Sequence, residues 1–179
     1  MKKEKQESDA FNYFSICEKC PDEECCTTPY FTFIARNEIE KIQEKIRDFP
    51  KKYQNFLEAD VISYQNAEHQ WYGIKKVKDR CIFLEGRRTC LIHEVKPLHC
   101  KCYPLVWGYE EEGNKLFIYI DAHPACNLVP ILSKNNEWIE TMKKYIVMEV
   151  QKMSIIDRIA YNSLESDDTL RMIDVIDLP

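Results

Sequence analysis

Soft sulfur donors dominate the chemistry this chain can do. Four of its nine cysteines fall within ten residues, as Cys17-Glu-Lys-Cys20 and the adjacent pair Cys25-Cys26. Cys81, Cys90, Cys100, Cys102 and Cys126 follow. Pairs at such short spacing bring several thiolates to one point at little loop-closure cost, as metal and iron–sulfur sites require. The rival for Cys17-x-x-Cys20 is a thioredoxin-like redox pair, which follows a strand and opens a helix. Here Pro21, Asp22, Glu23 and Glu24 come next, then two more cysteines, so ligation is the better reading.

Neighbouring side chains diverge, so Cys25 and Cys26 reach one mononuclear ion only with a bent backbone. Two sites sharing the loop, one larger cluster, or one ligand beside a packing residue would each account for the pair. Cys81, Cys90 and Cys100 recur at intervals of nine and ten residues. The candidate metal ligands are therefore Cys17, Cys20, Cys25, Cys26, Cys81, Cys90, Cys100 and Cys126. Cys102 reads as a packing residue. These candidates exceed the four ligands of one structural zinc, which favours an iron–sulfur cluster, [4Fe–4S] among the options; two zinc sites would absorb the same thiolates. Of His69, His93, His99 and His123, His99 beside Cys100 is the best nitrogen donor, although a surface or packed histidine is the simpler account. Glu94, Lys96 and Pro97 read as shaping the turn and the hydrogen bonds around the sulfurs.

Other chemistries lack their residues. The only glycines are Gly73, Gly86, Gly108 and Gly113, so no phosphate-cradling loop exists, and no Gly-x-Ser-x-Gly elbow occurs. No catalytic residue stands out. The formal net charge of −5, from 25 basic and 30 acidic residues, argues against a nucleic-acid partner. Lysines and arginines among the cysteines (Arg87, Arg88, Lys96, Lys101) read as charge compensation, because four thiolates around a +2 ion leave a net −2. The start has no apolar h-region and no long apolar run follows, so neither export nor a membrane span is expected. That places the chain in a reducing cytoplasm, where cysteine clusters hold metal more often than disulfides.

The elements that must position these thiols form one α+β domain over residues 1–179. Its expected frame is a small, mostly antiparallel sheet with helices and loops organised around the cysteine-rich site. Residues 1–12 are polar and expected to fray. Tyr30 to Ile34 reads as a strand. Asn37-Glu38-Ile39-Glu40 resembles an N-cap with glutamate three residues on, opening a helix striped by Ile39, Ile42, Ile46 and Phe49 and ending before Pro50. Residues 51–66 are ambiguous, with Phe56, Leu57, Val61 and Ile62 compatible with a second short helix. Trp71–Lys78 and Arg80–Leu84 read as strands around a turn at Lys78-Asp79. Leu105–Tyr109 and Leu116–Ile120 flank a hairpin turn. C-terminal helices are expected over about 134–164, with Ile139, Met142, Ile146, Val150 and Met153 on one face. The tail from 165 either docks as a last element or stays mobile.

From Cys17 to Cys26, then Cys81-Ile-Phe-Leu-Glu-Gly, then Cys90-Leu-Ile-His93-Glu94-Val-Lys96-Pro97-Leu-His-Cys100-Lys101-Cys-Tyr103-Pro104, the chain resembles the YkgJ-like cysteine-cluster family, a zinc- or iron-chelating domain. The resemblance runs from about residue 14 to about residue 130. It departs at His93, where tyrosine is usual, and at Lys96 and Lys101, where arginine is usual. Cys102 falls on a variable position, and Cys126 is followed by Asn-Leu-Val-Pro where relatives often carry a Pro-Gly turn. The resemblance implies a metal- or cluster-binding protein, with a protein partner as an option. Flagellin lysine methylases share the cysteine pattern, so methyl transfer to protein lysines is one alternative; those proteins are longer, and no conventional S-adenosylmethionine pocket is readable here. A structural zinc module serving protein interaction is the other.

Overall fold

The computed structural model describes Cys26 and residues 32–86, 89–122, 129–162 and 169–179. Its class is α+β, with short antiparallel sheets and helices. Strand β1 (Thr32–Ile34) runs directly into helix α1 (Arg36–Lys45). The helix starts earlier than the Asn37 signal suggests: Ala35 is the N-cap, and Glu38 at the third position reaches back to its backbone N–H at 3.0 Å. A short helix α2 (Lys51–Gln54) follows Pro50, and then β2 (Leu57–Tyr64) pairs with β3 (Ala67–Ile74). The helix considered for residues 51–66 is thus confined to α2, and Leu57, Val61 and Ile62 lie on a strand. Gln65 and Asn66, both at positive φ, form the two-residue turn whose twist suits such a hairpin. The first sheet has the order β1-β3-β2.

Two small ribbons come next, β4 (Lys76–Val77) with β5 (Arg80–Cys81), and β6 (Leu84–Glu85) with β7 (Thr89–Cys90). Lys78 and Asp79 at positive φ make the first turn, and Gly86 at φ 57° sits in the second. After a 3-10 turn at His93–Val95 and helix α3 (Leu98–Cys102), β8 (Leu105–Glu110) and β9 (Lys115–Asp121) form the hairpin that the alternation predicts. Leu105, Trp107 and Tyr109 point inward from β8, as Leu116, Ile118 and Ile120 do from β9.

Helix α4 (Val129–Leu132) precedes α5 (Asn136–Val150) and α6 (Ile155–Asn162). The Asn135 side chain caps α5 by accepting the Trp138 N–H at 3.0 Å. Trp138, Met142, Ile146 and Val150 form its buried stripe. The tail docks as β10 (Leu170–Asp177) on β9, giving the order β10-β9-β8 with a bulge between Met172 and Asp174.

Among the described residues, buried apolar side chains gather in two clusters. The larger joins the β8–β10 sheet to α5 and α6 and includes Leu98 and Cys102. The smaller holds Ile34, Ile42, Ile46, Tyr53, Phe56, Ile74, Phe83 and Ile92, with Cys81 and Cys90 packed at its edge. Among the described residues, no helix is long and apolar enough to cross a membrane.

Candidate metal centre

Phe83 fixes the first cysteine-bearing loop. It is fully buried, lies beside the Phe56 and Tyr53 rings at 5.4 and 6.1 Å, and accepts the Leu91 N–H at its carbonyl at 3.0 Å. Cys81 and Cys90, on either side of it, are thereby held on successive ribbons, opposite Lys76 and Leu84. The Phe83 N–H also hydrogen-bonds to the Cys81 thiol.

Cys100 lies on α3, a helix bounded by two prolines. Pro97 is its N-cap, and Lys96 before it takes the extended backbone (ψ 143°) that a following proline favours. Tyr103 does the same ahead of Pro104 (ψ 133°) and stops the helix. Residues two apart on a helix face different ways. Cys102 accordingly turns into the larger core and is buried, in keeping with its reading as a packing residue, while Cys100 is half-buried.

Burial pushes the Cys100 thiol well above its ordinary value, and negative charge on Cys26, Cys81 and Cys90 pushes it further; the Lys96 charge opposes both. The Cys81 thiol is pushed up to about 11 by burial, against the Phe83 hydrogen bond, with Cys26 and Cys90 adding to the rise. Three separate stretches of chain therefore bring Cys26, Cys81, Cys90 and Cys100 within electrostatic range of one another. Yet among the described residues no three Cys, His, Asp or Glu side chains are gathered tightly enough to hold a metal ion as they stand. No disulfide joins the described cysteines. Cys17, Cys20, Cys25, Cys126 and His123 lie outside the described residues.

The remaining candidates take other roles. His99 Nδ1 is 3.1 Å from the Tyr161 hydroxyl, and burial followed by the Lys76 charge pulls its pKa down to about 4, so the ring is neutral. Tyr161 stacks in turn on Trp107, with ring centroids 3.8 Å apart. His69 lies on β3 with its ring 6.1 Å from that of Tyr64. Glu94 is exposed and pairs with Lys45 at 2.7 Å, so it does not serve the sulfurs, whereas Lys96 is only 8% exposed. Sequence reasoning missed one residue altogether. Glu38, 7% exposed, uses one carboxylate oxygen on Ala35 and the other on the Leu98 N–H at 2.7 Å. Its spacing from Ala35 signals a helix start, and nothing local signals the second bond.

Soft donors in excess, partly withdrawn from water and flanked by lysines, define a cysteine-cluster chelating domain. The chain belongs to the CxxCxxCC family, described as "Putative zinc- or iron-chelating domain", whose match spans residues 16–127 and takes in every cysteine. That membership supports metal binding. No curated protein and no solved structure matched the chain.

Proposed function

We propose that the chain binds an iron–sulfur cluster through a thiolate centre that includes Cys26, Cys81, Cys90 and Cys100. Cys17, Cys20, Cys25 and Cys126 supply its remaining ligands or a second site. What supports this reading is the convergence of cysteines drawn from distant stretches of chain. Cys26 and Cys81 are separated by 54 intervening residues, yet each raises the proton affinity of Cys100. Cysteines this close resist ionising together in the metal-free chain, and a bound cation would offset the charge of their thiolates.

The donor set fits the group. Thiolates suit zinc and iron–sulfur centres alike, and the number of candidate cysteines, beyond what one tetrahedral ion takes, favours the cluster. Cys100 would be held from α3, and Cys81 and Cys90 from the two ribbons. Lys96 and Lys76 would offset the negative charge, while Phe83 and the adjoining core keep water from one side. When bound, an iron–sulfur cluster supplies one-electron redox chemistry.

The test is anaerobic purification followed by metal and sulfide analysis. Brown protein containing iron and acid-labile sulfide is expected. Single Cys→Ser changes should then divide into those that abolish the colour and those that leave it. Two zinc ions and no iron per chain would overturn the cluster assignment, and protein with no metal at all would overturn the site.

A further inference from the structure

Helix α3 cannot hold itself in place. An α-helix this short is unstable on its own, and its N-cap, Pro97, has no side-chain acceptor for the exposed amides. The missing acceptor comes from across the fold. Glu38 Oε1 takes the Leu98 N–H at 2.7 Å from 60 residues away, while Oε2 takes the Ala35 N–H at 3.0 Å. One buried carboxyl group thus caps two helices at once, α1 and α3, through its two oxygens. On the other side, Lys101 Nζ donates to the Tyr145 hydroxyl of α5 at 3.2 Å. The helix carrying Cys100 is therefore clamped between α1 and α5. Leu98 and Cys102, buried on either side of Cys100, are the anchors that translate the clamp into a thiol position.

We propose that Glu38 is a positioning residue for the metal centre: by fixing the first amide of α3 it sets where the Cys100 sulfur stands relative to Cys26, Cys81 and Cys90. This rests on the assignment of Cys100 as a ligand. Among the described residues, Glu38 hydrogen-bonds to no candidate ligand; it acts through the backbone of Leu98. Glutamine at this position keeps the shape but offers one acceptor oxygen for two N–H groups, and its NH2 then faces the other N–H. Alanine removes both caps.

Cobalt(II) added anaerobically to the reduced, metal-free full chain is the probe, because thiolate-to-cobalt charge transfer reports how many sulfurs bind. The wild-type chain should show the band. E38Q, with unchanged far-UV circular dichroism, should lose the intensity of one thiolate and bind cobalt about tenfold more weakly in chelator competition. In a C100S background, E38Q should change nothing further. I118V, which thins the buried core on β9, a strand that supplies no part of the clamp, is the control for general destabilisation and should keep the full band. The inference is overturned if E38Q and E38A leave band and affinity unchanged, if E38Q acts equally in the C100S background, or if I118V produces the same loss. A wild-type chain without any thiolate band would instead overturn the metal centre, and this inference with it.

Discussion

Glu38 should leave a signature in the pH dependence of stability. Desolvation pushes its pKa from 4.5 up to about 7, and the charge of Glu149 adds to the rise. The Ala35 and Leu98 N–H groups and the Lys101 charge pull the other way. A carboxyl that holds its proton more tightly in the folded chain contributes stability that is fully present below about pH 4.5. That stability is lost as pH rises through about 7. At about 1.4 kcal/mol per pH decade, the shift corresponds to about 3 kcal/mol across the window. His99 works in the opposite sense: its folded pKa of about 4 lies below the unfolded 6.5, so its contribution is present above 6.5 and lost as pH falls toward 4. The wild-type profile therefore carries two opposed slopes, and the variant E38Q separates them. Urea unfolding of both chains should be followed by tryptophan fluorescence from about pH 5 to about pH 8, with chelator and reductant present. The free-energy difference, wild type minus variant, should fall by about 3 kcal/mol, or a little less over that truncated range. Its offset reports the lost hydrogen bond and its slope reports the titration. A difference that stays flat, or grows with pH, would show that the two N–H donors and Lys101 outweigh desolvation, and would refute the reasoning.

Other expectations follow from the same packing and charges. M142A empties a fully buried position on α5 and should cost about 2–5 kcal/mol in chemical unfolding. N135A removes the side-chain cap on the Trp138 N–H and should cost about 1 kcal/mol, visible as a fall of a few degrees in Tm. K96M removes the buried cation that opposes charge build-up at Cys100. It should weaken metal binding about tenfold in chelator competition; unchanged affinity would count against charge compensation.

Elements with a clean period were legible in the sequence. The β8–β9 hairpin alternates buried and half-buried residues around its turn, and α5 begins beside a capping asparagine, so pattern and structure coincide. Strand β2 was not legible because Glu58, Ala59, Asp60 and Val61 are all exposed, leaving no face for alternation to mark. It is a strand by virtue of its pairing with β3, which is a long-range fact. The tail was ambiguous for a different reason. The bulge between Met172 and Asp174 breaks period two, so the half-buried Leu170, Ile173 and Ile176 recur every third residue. At the start of α1, Asn37 looked like the cap, yet its side-chain oxygen is buried without a hydrogen-bond partner, and Glu38 ties the start to Ala35. For the candidate site, spacing revealed which sulfurs to consider and the family they belong to. It could not reveal Glu38, because a contact across 60 residues leaves no mark in either local sequence.

The division of the buried residues into two clusters bears on how a centre between them would be loaded. Cys81 and Cys90 lean on the smaller cluster, and Cys100 rides on a helix rooted in the larger by Leu98 and Cys102. On the proposed ligand set, the bound group is a rivet through the boundary between two cores. Local openings follow such boundaries more readily than they cross a core. The metal-free chain can then gape there while each core keeps its own packing, giving a delivered ion or cluster a way in without unfolding. On that ligand set, binding should slow amide exchange on both sides of the boundary together.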